Sequence, residues 1–224
     1  MKQTIITISR EFGSGGHFIG EEVSKRLGIP FYDKFVYALS SGFSSNLAVY
    51  IFSYYLTFFL VDIRGLPARL AGFIILGSRV FDTVTDFLIG MLIDRTHFKS
   101  GKFKPWIIVG AVLNALVIVA LFTLRPQGWG FVAFFATGYL LWGMTYTMND
   151  IAYWGMLPSL SSDPKERDTL VTLMSVFICV GQFAVAGIVP TVVAGNAIQA
   201  YRVTALIVAL AFIAFQTLVV LGVR

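Results

Sequence analysis

From Leu39 to Val223 the sequence repeats one arrangement, an apolar run of about twenty residues followed by a short polar connection. No other feature constrains the fold as much. A run of that length spans the roughly 30 Å hydrocarbon core of a bilayer as a helix. Only a helix or a closed barrel satisfies its backbone hydrogen bonds without water. Six spans are predicted: Leu39–Val61, Leu70–Ile93, Pro105–Leu124, Gly130–Leu157, Leu170–Val193 and Ile198–Val223. The chain is 57% hydrophobic and 13% charged, against about 45–50% and about 25% in a soluble domain. The fold class expected is an all-α membrane protein. The formal charge of +5 does not point to nucleic acid, because the basic residues sit in short loops beside apolar runs, where they act as topology signals.

With a cytoplasmic N-terminus, twelve of the 17 Lys and Arg residues fall inside, four (Arg64, Arg69, Arg125, Arg202) fall outside, and Arg79 lies within a span. The chain is therefore predicted to be multi-pass in the cell (inner) membrane with both termini cytoplasmic. The first residues lack a charged segment followed by a 7–15-residue apolar stretch, the mark of a signal peptide, so insertion is expected to rely on the first span. The single cysteine, Cys179, lies in an apolar run and is expected to be a small core residue.

Residues 1–34 read differently. Thr4 to Ser9 suits a short buried strand, Gly13-Ser-Gly15-Gly16 a flexible loop, and His17 to Leu27 an amphipathic helix. Strand, glycine loop and helix is the layout of a phosphate cradle, with Gly13, Gly15 and Gly16 exposing backbone N–H groups to an anion. The stretch Ile5 to His17, with Leu27 to Lys34, resembles the opening of cytidylate-kinase-like P-loop proteins. The Lys-Ser/Thr ending of a Walker pattern is absent, since His17 and Phe18 follow the glycines. One strand and one helix do not bury a core. This α/β-like segment is read as a fragment without enzymatic activity, preceding a membrane unit at residues 35–224.

The second span carries the chemistry. Arg79, Asp82 and Asp86 are spaced i, i+3, i+7 and share one helix face. Ionisable groups in a span cost roughly 2.5–3.5 kcal/mol each on insertion scales, so they face a cavity and mark function. Two carboxylates, with the hydroxyl of Thr85 nearby, suit a hard monovalent cation or a proton. The alternative is that Arg79 and the acids pair to hold helices together.

The fourth span adds Tyr146, Thr147, Asp150 and Trp154. Tyr146, Asp150 and Trp154 follow one another at i, i+4 on one face. A carboxylate beside aromatic rings suits a sugar, whose hydroxyls bond to the acid while its apolar face stacks on a ring. Trp142 and Trp154 also suit interfacial or packing roles. In the first span Asn46 and Tyr50 share a face and suit a polar cavity or an interhelical hydrogen bond. Gly77, Gly90, Gly110 and Gly143 are read as close helix contacts. The turn from Asp94 to Lys104 suits a positive-inside anchor or a gate latch.

Asp62-Ile-Arg-Gly-Leu66, Arg79-Val-Phe-Asp-Thr-Val-Thr-Asp86, Gly101-Lys-Phe-Lys-Pro-Trp106 and Leu141 to Asp150 resemble the N-terminal half of the glycoside–pentoside–hexuronide:cation symporters, the melibiose-carrier branch of the major facilitator superfamily. The resemblance implies six transmembrane helices forming half of that fold. It implies cation-site positions at Asp82, Asp86, Thr85 and Thr147. It implies sugar-contact positions at Asp150 and Trp154, with Arg79 near the shared cavity. The coupling ion is then sodium, lithium or a proton, and no further cofactor is expected. Where melibiose carriers have a Lys-Asp pair in the first span and an Arg in the fifth, this chain has Ser45-Asn46 and Ser175. The superfamily fold pairs two six-helix halves around a midplane site, so transport is expected to need a second half or self-association. The competing expectations are a non-transporting truncated or fused fragment and a membrane-tethered nucleotide-binding protein.

Overall fold

The computed structural model describes residues 36–40, 49–50, 56–98, 101–124, 126–160, 164–193 and 197–222. The phosphate-loop glycines Gly13, Gly15 and Gly16, the rest of residues 1–34, and Asn46 lie outside them. Among the described residues every regular element is helical. The end of the first span is a short α turn, α1 (Leu56–Phe58), continued by a π turn at Phe59–Ile63. Five long or medium helices follow: α2 (Ala68–Arg95), α3 (Lys104–Thr123), α4 (Trp129–Leu160), α5 (Pro164–Val193) and α6 (Ala197–Gly222).

Each of the last five predicted spans lies within one helix or within a residue of its end. The largest difference is at α5, which begins six residues before Leu170. Pro164 occupies the first helical position, where its missing N–H costs nothing, so the polar stretch before the apolar run is helical as well. Three helices are apolar and long enough to cross a membrane by composition alone, at Lys104–Thr123, Arg167–Thr191 and Ile198–Leu221. The other two are long enough but more polar. At 28 and 32 residues, α2 and α4 reach about 42 and 48 Å at 1.5 Å per residue. Charges on α2, and hydroxyls, rings and Asp150 on α4, hold their hydropathy down.

The turns are fixed by identifiable groups. Gly65 at φ 69° ends the π turn in the left-handed region, which glycine enters without steric cost. Pro67 then opens α2, its carbonyl accepting from Leu70 and Ala71 N–H. Arg64 spans two connections, donating to the Pro126 carbonyl at 3.0 Å and lying over the Phe131 ring at 4.1 Å. At the other end Trp106 Nε1 donates to Thr96 Oγ1 at 2.8 Å, and Lys102 pairs with Asp94 at 2.8 Å. His97 is exposed on this turn.

α3 is the central helix, packing broadly on α4 and α6, while α2 lies on α4 and α5 touches α6 and α4. Two apolar clusters form at opposite ends of the bundle. One gathers Leu56, Phe59, Leu60, Leu121, Phe122, Phe135 and Tyr201; the other gathers Tyr37, Ile93, Ile107, Tyr153, Met156, Leu160 and Met174. In the second, the rings of Tyr37 and Tyr153 stack at 4.4 Å, and each hydroxyl donates to the other residue's backbone carbonyl. Between the clusters lies a polar layer containing Asn114, Thr145, Asn149 and Gln216, all buried. Gly110 and Gly143 are close contacts as expected, but a side chain at Gly77 would meet nothing within 4 Å. Cys179 is exposed on α5 rather than in the core. The periodicity of an apolar helix does not say which side its neighbours cover.

Candidate functional site

α2 and α4 flank a cavity of about 350 Å³. α2 contributes Arg79, Asp82 and Asp86, and α4 contributes Trp142, Gly143, Tyr146, Thr147, Asp150 and Ile151, with Val49 of the first span completing the wall. The helical period puts the α2 charges on one face. The packing of α2 on α4 places that face on the cavity.

Asp86 Oδ1 accepts a hydrogen bond from Thr147 Oγ1 at 2.7 Å, across the two helices. Asp82 Oδ2 stands 3.5 Å from Arg79 Nη1. Its Oδ1 is buried and accepts no hydrogen bond from any described group. This oxygen sits against Gly143, where a Cβ would press into it. The absent side chain on α4 makes the room for the acid on α2. Arg79 also reaches α4, donating to the Tyr139 hydroxyl at 3.4 Å. Tyr146 donates to Asp150 Oδ1 at 3.3 Å, a long bond for a hydroxyl donor.

Of the nine expected cation and sugar contacts, Asn46 lies outside the described residues, and six of the other eight line the cavity. Asp82, Asp86, Thr147, Asp150, Arg79 and Tyr146 come together on one cavity. Thr85 does not join them. It is buried, and its hydroxyl donates to the Phe81 and Asp82 carbonyls of its own helix at 3.2 and 3.0 Å. Trp154 is 40% exposed and is not part of the cavity wall. The rings in the wall are Trp142 and Tyr146. They end a ladder along α4 in which Phe131, Phe135, Tyr139, Trp142 and Tyr146 follow one another at ring separations of 5.6 to 6.2 Å. The sequence signal for Trp142 is its spacing of four from Tyr146, the same i, i+4 step that links Tyr146 to Asp150.

Three carboxylates and one guanidinium leave the wall net negative when the acids are ionised. Among the described residues no three His, Cys, Asp or Glu side chains converge as they do around a multivalent metal.

Residues 38–224 match the family described as MFS/sugar transport protein. Residues 5–46 match the cytidylate kinase-like family. The isoprimeverose transporter of Lactiplantibacillus pentosus is 34% identical over 146 residues, which are 65% of this chain and 30% of that protein. The lactose permease of Lactobacillus helveticus is 38% identical over 100 residues, 42% of this chain and 16% of that protein. The inner membrane symporter YicJ of Escherichia coli (strain K12) is 33% identical over 117 residues, 52% of this chain and 25% of that protein. These relatives are transporters rather than enzymes. The chain spans about a third or less of the length of the curated relatives it matches. With a family match over residues 38–224 and a helical bundle around a polar cavity, the chain belongs to the MFS/sugar transport protein family of integral membrane proteins.

Proposed function

We propose that this chain supplies the N-terminal six-span half of a cation-coupled symporter for a sugar or glycoside. The observation that carries the reading is the convergence of Asp82 and Asp86 from α2 with Thr147 and Asp150 from α4 on one cavity. Asp82, Asp86 and Thr147 bind the coupling ion, sodium or a proton. Asp150, Arg79, Tyr146 and the Trp142 ring face the sugar. A carboxylate binds vicinal hydroxyls through charge-assisted hydrogen bonds, and a ring covers the apolar side of a pyranose. An ion at Asp82 and Asp86 and a sugar at Asp150 share one cavity wall, and that shared wall couples the two. The chain sits in the inner membrane with cytoplasmic termini. Arg79 and Asp86 are exposed, and a second six-helix half or a second copy covers them during transport.

Uptake of labelled lactose and isoprimeverose into vesicles, with and without a sodium gradient, tests this reading. Sodium- or proton-driven uptake that Asp82→Asn and Asp86→Asn each abolish supports it. Uptake indifferent to both substitutions overturns it, and no uptake of any sugar tried identifies a membrane fragment that does not transport.

A further inference from the structure

The polar residues of α4 occupy two faces. Gly143, Tyr146, Thr147 and Asp150 face the cavity. Thr145 and Asn149, with the Trp142 carbonyl, face away from it into the bundle. There Asn114 of α3 donates to the Trp142 carbonyl at 3.1 Å and to Thr145 Oγ1 at 3.0 Å. Asn149 Nδ2 donates to the Ile107 carbonyl of α3 at 2.9 Å, and its Oδ1 accepts from Gln216 Nε2 of α6 at 3.1 Å. Asn149 and Gln216 are both fully buried. Gly110 lets α3 approach until a Cβ there would lie 2.8 Å from the Asn149 backbone nitrogen.

Buried amides are costly unless bonded, and apolar residues of the same shape pack as well. What an amide pair adds is direction, since it closes at only one rotation of the helix; a single buried Asn fixes coiled-coil register in the same way. Asn149 is next in sequence to Asp150 and two residues after Thr147. We propose that Asn149 is a positioning residue: bonded to α3 and α6, it sets the rotation of α4 at which Asp150 and Thr147 meet the cavity. The apolar clusters at either end hold the helices together but do not choose this angle, because Leu, Ile and Phe contacts tolerate repacking.

The inference rests on the symporter reading for its functional consequence, and its structural part is tested separately. In the full chain carrying Cys179→Ser, Ile151→Cys places a thiol on the cavity wall and Ala152→Cys places one on the buried side. N-ethylmaleimide is expected to label the first much faster than the second. Adding Asn149→Leu is expected to lower that ratio several-fold. The exchange Asn149→Gln with Gln216→Asn, which keeps an amide pair, is expected to restore it. An unchanged ratio in monodisperse Asn149→Leu protein overturns the proposal. If that variant does not accumulate, Gln216→Met, which removes one of the two bonds, carries the same comparison. In uptake assays Asn149→Leu raises the half-saturating sodium concentration several-fold with the maximal rate less affected; an equal fall in rate at unchanged half-saturation counts against positioning. If the parent shows uptake driven by neither a sodium nor a proton gradient, the symporter reading has failed, and the labelling ratio still decides the role of Asn149.

Discussion

Thr147 on α4 donates its hydroxyl hydrogen to Asp86 Oδ1 on α2 across 2.7 Å. The bond joins the two helices that form most of the cavity wall, and it leaves the Thr147 oxygen lone pairs beside the carboxylate. On the proposed reading, a cation entering there would meet an acid and a hydroxyl already held together, with less side-chain freedom to lose on binding.

Thr147→Ala is therefore expected to weaken cation binding, and Thr147→Ser to preserve it. The bond is exposed, so its loss costs about 0.5–1.5 kcal/mol and the half-saturating sodium concentration rises roughly two- to tenfold. Sodium titration of sugar uptake measures this, and equal values for the Ala and Ser variants contradict it.

Gly143→Ala is expected to impair coupling more than stability, because its methyl group displaces the Asp82 carboxylate rather than core atoms. Gly77→Ala is the control. Nothing lies within 4 Å of a side chain there, and Ala is favoured over Gly in a helix by about 0.5–1 kcal/mol. Thermal unfolding in detergent should show an equal or higher midpoint for Gly77→Ala, and uptake should fall only for Gly143→Ala.

Gly110→Ala acts on the bundle itself. Its Cβ would sit 2.8 Å from Asn149 N and 3.0 Å from Asn149 Cβ, contacts that only a separation of α3 from α4 relieves. Overpacking of this kind costs about 1–3 kcal/mol. The unfolding midpoint should drop clearly below that of the parent.

In the turn between α2 and α3 the ion pair matters less than the indole. Asp94 is 75% exposed beside Lys102, and exposed pairs contribute about 0–1 kcal/mol. Lys102→Ala should leave the midpoint nearly unchanged. Trp106→Phe removes the part-buried bond to Thr96, a loss of about 0.5–1.5 kcal/mol, and should lower it more.

The period of 3.6 residues carried much of this site in the sequence. It put Arg79, Asp82 and Asp86 on one face and Tyr146 and Asp150 on another, and the cavity brings those faces together. It did not tell which hydroxyl turns inward. Thr85 lies about 60° around the helix from Asp82 and about 100° from Asp86, enough to leave it bonded to its own backbone. Trp154 shares the face of Asp150 but stands about 6 Å further along the axis, where the wall no longer reaches. Asn149 and Gln216 gave the weakest signal. Gln216 is one amide in an apolar run, Asn149 is obscured by the polar residues beside it, and their bond joins residues from two helices, which no local pattern records.

The ladder of rings on α4 has an optical consequence. Trp142 is buried, lines the cavity, and stacks between Tyr139 and Tyr146. A charge arriving beside Asp82 or Asp86 changes the electric field across its indole, and with it the wavelength and yield of its emission. If the proposed ion binds there, the protein carries its own fluorescent gauge of occupancy, readable without a label once Trp106, Trp129 and Trp154 are replaced by Phe.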